Sequence, residues 1–127
     1  MADSGGIVIE QSMEDRIRQL CIETDRAFVL ELLDTCAPLF AKHLASIQEA
    51  GSMRDATKLH YASHALKGAS LNIGANKLAS VCRRIEDSSE INDFETVDSL
   101  MSDLQKEIQG ASQALHSVRD RLSHQKP

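Results

Sequence analysis

The stretch Leu59-His60-Tyr61-Ala62-Ser63-His64-Ala65-Leu66-Lys67-Gly68-Ala69-Ser70-Leu71-Asn72-Ile73-Gly74 decides the fold. Its apolar residues Leu59, Ala62, Leu66, Ala69 and Ile73 recur every three or four positions, the period of one face of an α-helix. Gly74 breaks that period, as a residue that tolerates positive φ at a helix end. Ser52 with Asp55 is expected to cap the start. Stripes of the same period lie on both sides. Met13, Ile17, Leu20 and Cys21 mark a short leading helix. Thr24 or Asp25 can cap the next, which is lined by Val29, Leu33, Cys36, Phe40, Leu44 and Ile47 and closed by Gly51. Pro38 lies inside it and removes the N–H that would bond the Asp34 carbonyl, so a kink rather than a stop is expected. Leu78, Val81, Cys82 and Ile85 give a shorter helix before the polar stretch Asp87–Asn92. Asn92 with Glu95 is expected to cap the longest helix, lined by Phe94, Val97, Met101, Leu104, Ile108, Ala111, Leu115, Val118 and Leu122.

Composition agrees with an all-α chain. Among 127 residues there are 6 Gly, 2 Pro, 3 Phe, 1 Tyr and no Trp, too few turn and aromatic residues for a sandwich or barrel. Short connections make neighbouring helices antiparallel, so the expected architecture is an up-down-up-down four-helix bundle with a short additional N-terminal helix. Its single domain spans residues 11–122, between a loose arm at 1–10 and a frayed tail at 123–127. A parallel coiled coil would have to run its heptads through Gly51, Gly74 and the 87–92 break. The 14 Lys+Arg against 19 Asp+Glu give a net charge of −5, which argues against a nucleic-acid binder. No apolar run is long enough to span a membrane, and the start lacks the basic and apolar regions of a signal peptide, so a cytoplasmic chain is expected. Cys21, Cys36 and Cys82 are odd in number and widely spaced, and read as small buried apolar residues.

The polar face of the helix holding His64 is unusual. At 100° per residue, His60 falls at about −40° from His64, Lys67 at about −60°, Leu71 at about −20° and Gly68 at about +40°. The core markers Leu59 and Leu66 fall on the far side, so His64 points to solvent. A glycine inside a helix costs about 1 kcal/mol relative to alanine. At Gly68, one turn after an exposed histidine, that cost implies something that must come close to the backbone. The charge of Lys67 disfavours an imidazolium and helps keep His64 neutral and nucleophilic. Once a phosphoryl group is attached, the same ammonium can pair with its oxygens. This set of residues fits a phosphoryl acceptor.

The residue order sharpens the reading. His64-Ala65-Leu66-Lys67-Gly68-Ala69-Ser70-Leu71-Asn72-Ile73-Gly74-Ala75, followed by Leu78, resembles the signature H-x-L-K-G-x-S-x-x-x-G-A of histidine-containing phosphotransfer (HPt) domains. The motif covers about a tenth of the chain, and the surrounding plan of helices is similar to the family over most of the rest. The resemblance implies a phosphocarrier that takes a phosphoryl group from the aspartate of one receiver domain and passes it to another. The partners implied are receivers of hybrid histidine kinases and response regulators. It implies Nε2 of His64 as the phosphorylated atom and places Mg²⁺ on the receiver, so the carrier itself needs no cofactor or metal. The chain has no Gly-rich nucleotide loop, and no autonomous kinase activity is expected. A free-standing monomeric carrier is the expectation, although a piece of a larger hybrid kinase would read the same.

Other readings stand beside these. His60 and His64 are one turn apart and can hold a metal ion, but no Glu-x-x-His motif supplies further ligands. His60 then assists the phosphoryl group or is simply solvated. Ser70 falls toward the core edge, where small size explains it. Arg83 and Arg84 either orient an acidic receiver loop or form a solvated face. Leu71 shares the stripe of His64 and is the first candidate for docking. Phe28, Leu32 and Leu39 form a second apolar line, which serves docking or lies under the first helix. A helical module that docks receivers without carrying phosphate is the remaining alternative.

Overall fold

A computed structural model of the chain describes residues 10–124, and among them five helices and no strand. They are α1 (Gln11–Glu23), α2 (Arg26–Ser52), α3 (Ala56–Asn72), α4 (Asn76–Glu90) and α5 (Phe94–Ser123). Residues 1–9 of the expected arm and 125–127 of the expected tail lie outside the described residues. Helices α2 to α5 form the bundle: each packs on the next in sequence, and α5 closes the ring against α2. The short α1 lies against α2.

The predicted stripes meet in one core. Val29, Leu33, Cys36, Phe40 and Ile47 from α2 face Leu59 and Leu66 from α3, Leu78, Cys82 and Ile85 from α4, and Val97, Leu104 and Leu115 from α5. Met13 and Ile17 of α1 are buried at its edge. Truncating any one of the larger residues to alanine costs about 2–5 kcal/mol. Helix α2 runs through Pro38 without interruption. Cys36 and Cys82 are buried free thiols, and desolvation pushes the Cys82 thiol up to about 12, which leaves it unreactive.

The turns correct several expectations. Gly51 does not close α2. It lies inside the helix, where an added Cβ would touch Met101 and Val97 at 3.6 Å, so its smallness serves the α2–α5 approach. Ser52 is the last residue of α2, and Asp55 alone caps α3 by accepting the Lys58 N–H. The polar stretch after Ile85 is helical as far as Glu90, with Ser88 and Ser89 buried. Asn92 does not cap α5; that role belongs to Asp93, which accepts the Thr96 N–H. Asp25 caps α2, while Thr24 closes α1.

Arg54, Gly74 and Asn92 share a geometry that explains these shifts. All three have positive φ, at 55°, 77° and 56°. Each sits just past a helix whose last carbonyls are closed by the same pair of hydrogen bonds, such as Ala75 N–H to Ser70 and Gly74 N–H to Leu71. The α3–α4 turn is also held from outside. The Ser12 hydroxyl donates to the Gly74 carbonyl at 2.5 Å, and Arg16 Nε donates to the Asn72 carbonyl at 3.0 Å. A side chain at Gly74 would run into the Ser12 carbonyl group, so α1 seats only over a glycine.

Candidate functional site

The candidate site lies where α3 and α4 pack side by side. Leu59, Leu66 and the buried Ser63 and Ser70 fix the inner face of α3, and the two serine hydroxyls donate back to the Leu59 and Leu66 carbonyls at 2.7 Å. Small residues there let α4 approach closely, in keeping with the packing reading of Ser70. The opposite face of α3 then carries His64, whose side chain is 62% exposed.

A buried carboxylate of α4 holds His64 in place. Glu86, with a side chain only 8% exposed, has Oε2 2.7 Å from His64 Nδ1, and its Oε1 accepts from Lys67 Nζ at 2.6 Å. An ionised carboxylate has no proton to donate, so the proton of this bond belongs to Nδ1 of His64. In the neutral ring the lone pair then lies on Nε2, which makes no hydrogen bond among the described residues. Burial works against the charge on Glu86, but the hydrogen bonds from Lys67 and His64 outweigh it and hold the carboxyl below its ordinary range. The charge of Lys67 is thus matched by a partner on the neighbouring helix, rather than acting on the imidazole alone.

The remaining predicted residues divide around this centre. An added Cβ at Gly68 would meet nothing within 4 Å, so no packing inside the molecule requires the glycine there. Leu71 is exposed, 53%, and borders the groove of about 540 Å³ that Lys67 and Glu86 also line. His60 stacks on His64, rings 6.1 Å apart and nearly parallel, with Nε2 3.8 Å from Glu86 Oε2 and Nδ1 3.6 Å from Glu90 Oε1. Phe28 and Leu39 are exposed on α2, while Leu32 is partly buried against the core. Among the described residues, no group of three or more His, Cys, Asp or Glu has the geometry to hold a metal ion.

Sequence reasoning missed Glu86 and Tyr61. Glu86 directly follows the last apolar marker of α4, and reading Asp87–Asn92 as a break drew attention away from a carboxylate beside it. The signal available was a charged residue one position after Ile85 on the buried edge of an amphipathic helix. Tyr61, exposed one turn before His64, packs edge-on against His60 at 5.5 Å.

A helical bundle with a solvent-facing histidine, steered by a carboxylate and flanked by a lysine and a glycine, is the arrangement expected of a phosphohistidine carrier. The sequence profile of the Hpt domain family matches residues 31–115, two thirds of the chain, and the chain belongs to that family. It is a histidine phosphotransfer protein of phosphorelays, and members of its family are carriers that interact with receiver domains. The crystal structure of histidine-containing phosphotransfer protein B (HptB) from Pseudomonas aeruginosa PAO1 is similar, with a TM-score of 0.80 and 25% sequence identity. That match covers 84% of this chain and 92% of HptB. No curated protein sequence matches significantly. Among the described residues, no helix is long and apolar enough to cross a membrane.

Proposed function

We propose that Nε2 of His64 is the atom that takes the phosphoryl group from a receiver aspartate and gives it to another. In the forward step the aspartyl O–P bond breaks, the Nε2–P bond forms, and the receiver carboxylate leaves. The proton stays on Nδ1, so the phosphorylated ring is cationic. The observation that carries this reading is the 2.7 Å bond from Nδ1 to Glu86 with Nε2 left open. That bond selects the nucleophilic tautomer, orients the ring and offsets the charge that develops on it. In the reverse step the ring returns to neutral and the same carboxylate needs no rearrangement.

Lys67 has two partners in turn. At rest it pairs with Glu86, and in the phosphorylated state its flexible stem carries the ammonium to the phosphoryl oxygens. Gly68 leaves room for the receiver backbone, and Leu71 gives its apolar surface a first contact. Phe28, Leu32, Leu39 and His60 extend the docking face. Mg²⁺ belongs to the receiver, because the carrier offers a nucleophile rather than an acidic pocket. The partners are receivers of hybrid histidine kinases and response regulators, met in the cytoplasm by a monomeric carrier without kinase activity of its own. The test is nitrogen NMR of imidazole-labelled protein after transfer from a phosphorylated receiver. A phosphoryl-coupled Nε2 on His64 supports the reading, and coupling at Nδ1 or at another histidine refutes it.

A further inference from the structure

Among the described residues, one cation lining the groove beside His64 has no partner. Lys67 is bound to Glu86, but Arg83, exposed on α4 and lining the same groove, makes no hydrogen bond or ion pair among the described residues. Asp87 lies one turn on and also lines the groove, yet no ion pair joins the two. The Arg-before-Asp order is the weaker orientation for a helical pair. Around the α4 axis Arg83 sits at about +60° from Glu86, on the groove side, whereas Arg84 sits at about +160°, facing away. Arg83 therefore lines the groove that Lys67 and Glu86 also line, with its hydrogen-bonding fork unused.

We propose that Arg83 is the residue by which this carrier selects its receiver, pairing with a carboxylate on the rim of the receiver's aspartate pocket. This rests on the phosphocarrier reading. A protein that brings an acceptor aspartate and a Mg²⁺ ion to Nε2 presents acidic groups there, because Mg²⁺ takes oxygen ligands and is commonly held by one or two carboxylates beside waters and phosphate oxygens. A receiver seated over His64 also covers the groove, which places its acidic rim against Arg83. Guanidinium matches carboxylate in a bidentate fork, which gives geometric selection as well as attraction. Such a contact steers the encounter and discriminates between receivers whose rims differ in charge.

The test compares Arg83→Glu and Arg83→Gln with Arg84→Glu, which makes the same charge change on the neighbouring position outside the groove. Each variant is first labelled with phosphoramidate, a small donor that needs no docking: its N–P bond breaks, Nε2–P forms and ammonia leaves. Single-turnover transfer is then measured from a receiver that phosphorylates the wild type, at low and at physiological salt. Arg83→Glu should slow transfer at least about tenfold at low salt, Arg83→Gln by less, and Arg84→Glu by no more than about twofold, with phosphoramidate labelling unchanged in all. The slowing should shrink as salt rises. Equal effects of Arg83→Glu and Arg84→Glu, or none from either, overturn the selective role of Arg83. Failure of phosphoramidate to label His64 in the wild type, or of every receiver to transfer, overturns instead the phosphocarrier reading beneath it.

Discussion

Removing Glu86 tests how much the carrier depends on a carboxylate that is almost fully buried beside the histidine. It makes two charge-assisted bonds, 2.7 Å to His64 and 2.6 Å to Lys67. Such bonds contribute about 1.5–3 kcal/mol each when enclosed. His64 is 62% exposed and Lys67 24% exposed, so water replaces part of both. About 1 kcal/mol for each is therefore the appropriate scale. Glu86→Ala frees the imidazole to take either tautomer, lets the ring rotate and leaves the phosphorylated ring without a counter-charge. A loss of about 2 kcal/mol at the transition state slows transfer roughly 30-fold. Glu86→Gln keeps the shape and one acceptor oxygen but turns an amide toward Lys67, and a smaller loss of about 3- to 10-fold is expected. Quenched-flow transfer from a labelled receiver gives the rate, and circular dichroism confirms that each variant is folded. A folded Glu86→Ala protein that transfers within about twofold of wild type would refute the role given to this carboxylate.

Other outcomes follow from the same geometry. The carboxyl of Glu86 is held below its ordinary value of 4.5, so it stabilises the fold above that pH and the contribution is lost as pH falls through the folded-state value. The gap in urea stability between wild type and Glu86→Gln should close as the pH falls below about 4.5; a gap that persists undiminished in stronger acid contradicts the assignment. Gly68→Ala meets open space, so it should stabilise α3 by about 0.5–1 kcal/mol in urea melts while slowing transfer from receivers. Faster or unchanged transfer would remove the close-approach account. Gly74→Ala forces a side chain onto a residue at φ 77° and against the Ser12 carbonyl, and should cost about 1–3 kcal/mol. A loss under about 0.5 kcal/mol would mean that α1 is not seated as described.

The helices were legible because burial of a single face imposes a 3.6-residue period, and α2, α3 and α5 follow it over many turns. Their ends were less so. Gly51 and Asn92 were read by their usual habits, but Gly51 is fixed by the side chains of Met101 and Val97 from α5, which no local pattern records. Arg54 takes the left-handed turn that glycine would be expected to fill, because the hydrogen-bond closure repeated at all three turns outweighs the cost at one residue. His64, Lys67 and Gly68 were readable from the polar face of one helix. Glu86 belongs to another helix, and its contact with His64 spans 22 positions, so only the α3–α4 packing brings the two together.

The most direct test of the central claim is transfer of labelled phosphate from a phosphorylated receiver to wild type and to His64→Gln. The account predicts label on the wild type alone, lost in acid and retained in base, as for a phosphohistidine. Label of equal amount on His64→Gln, or label on the wild type that survives acid, would contradict it.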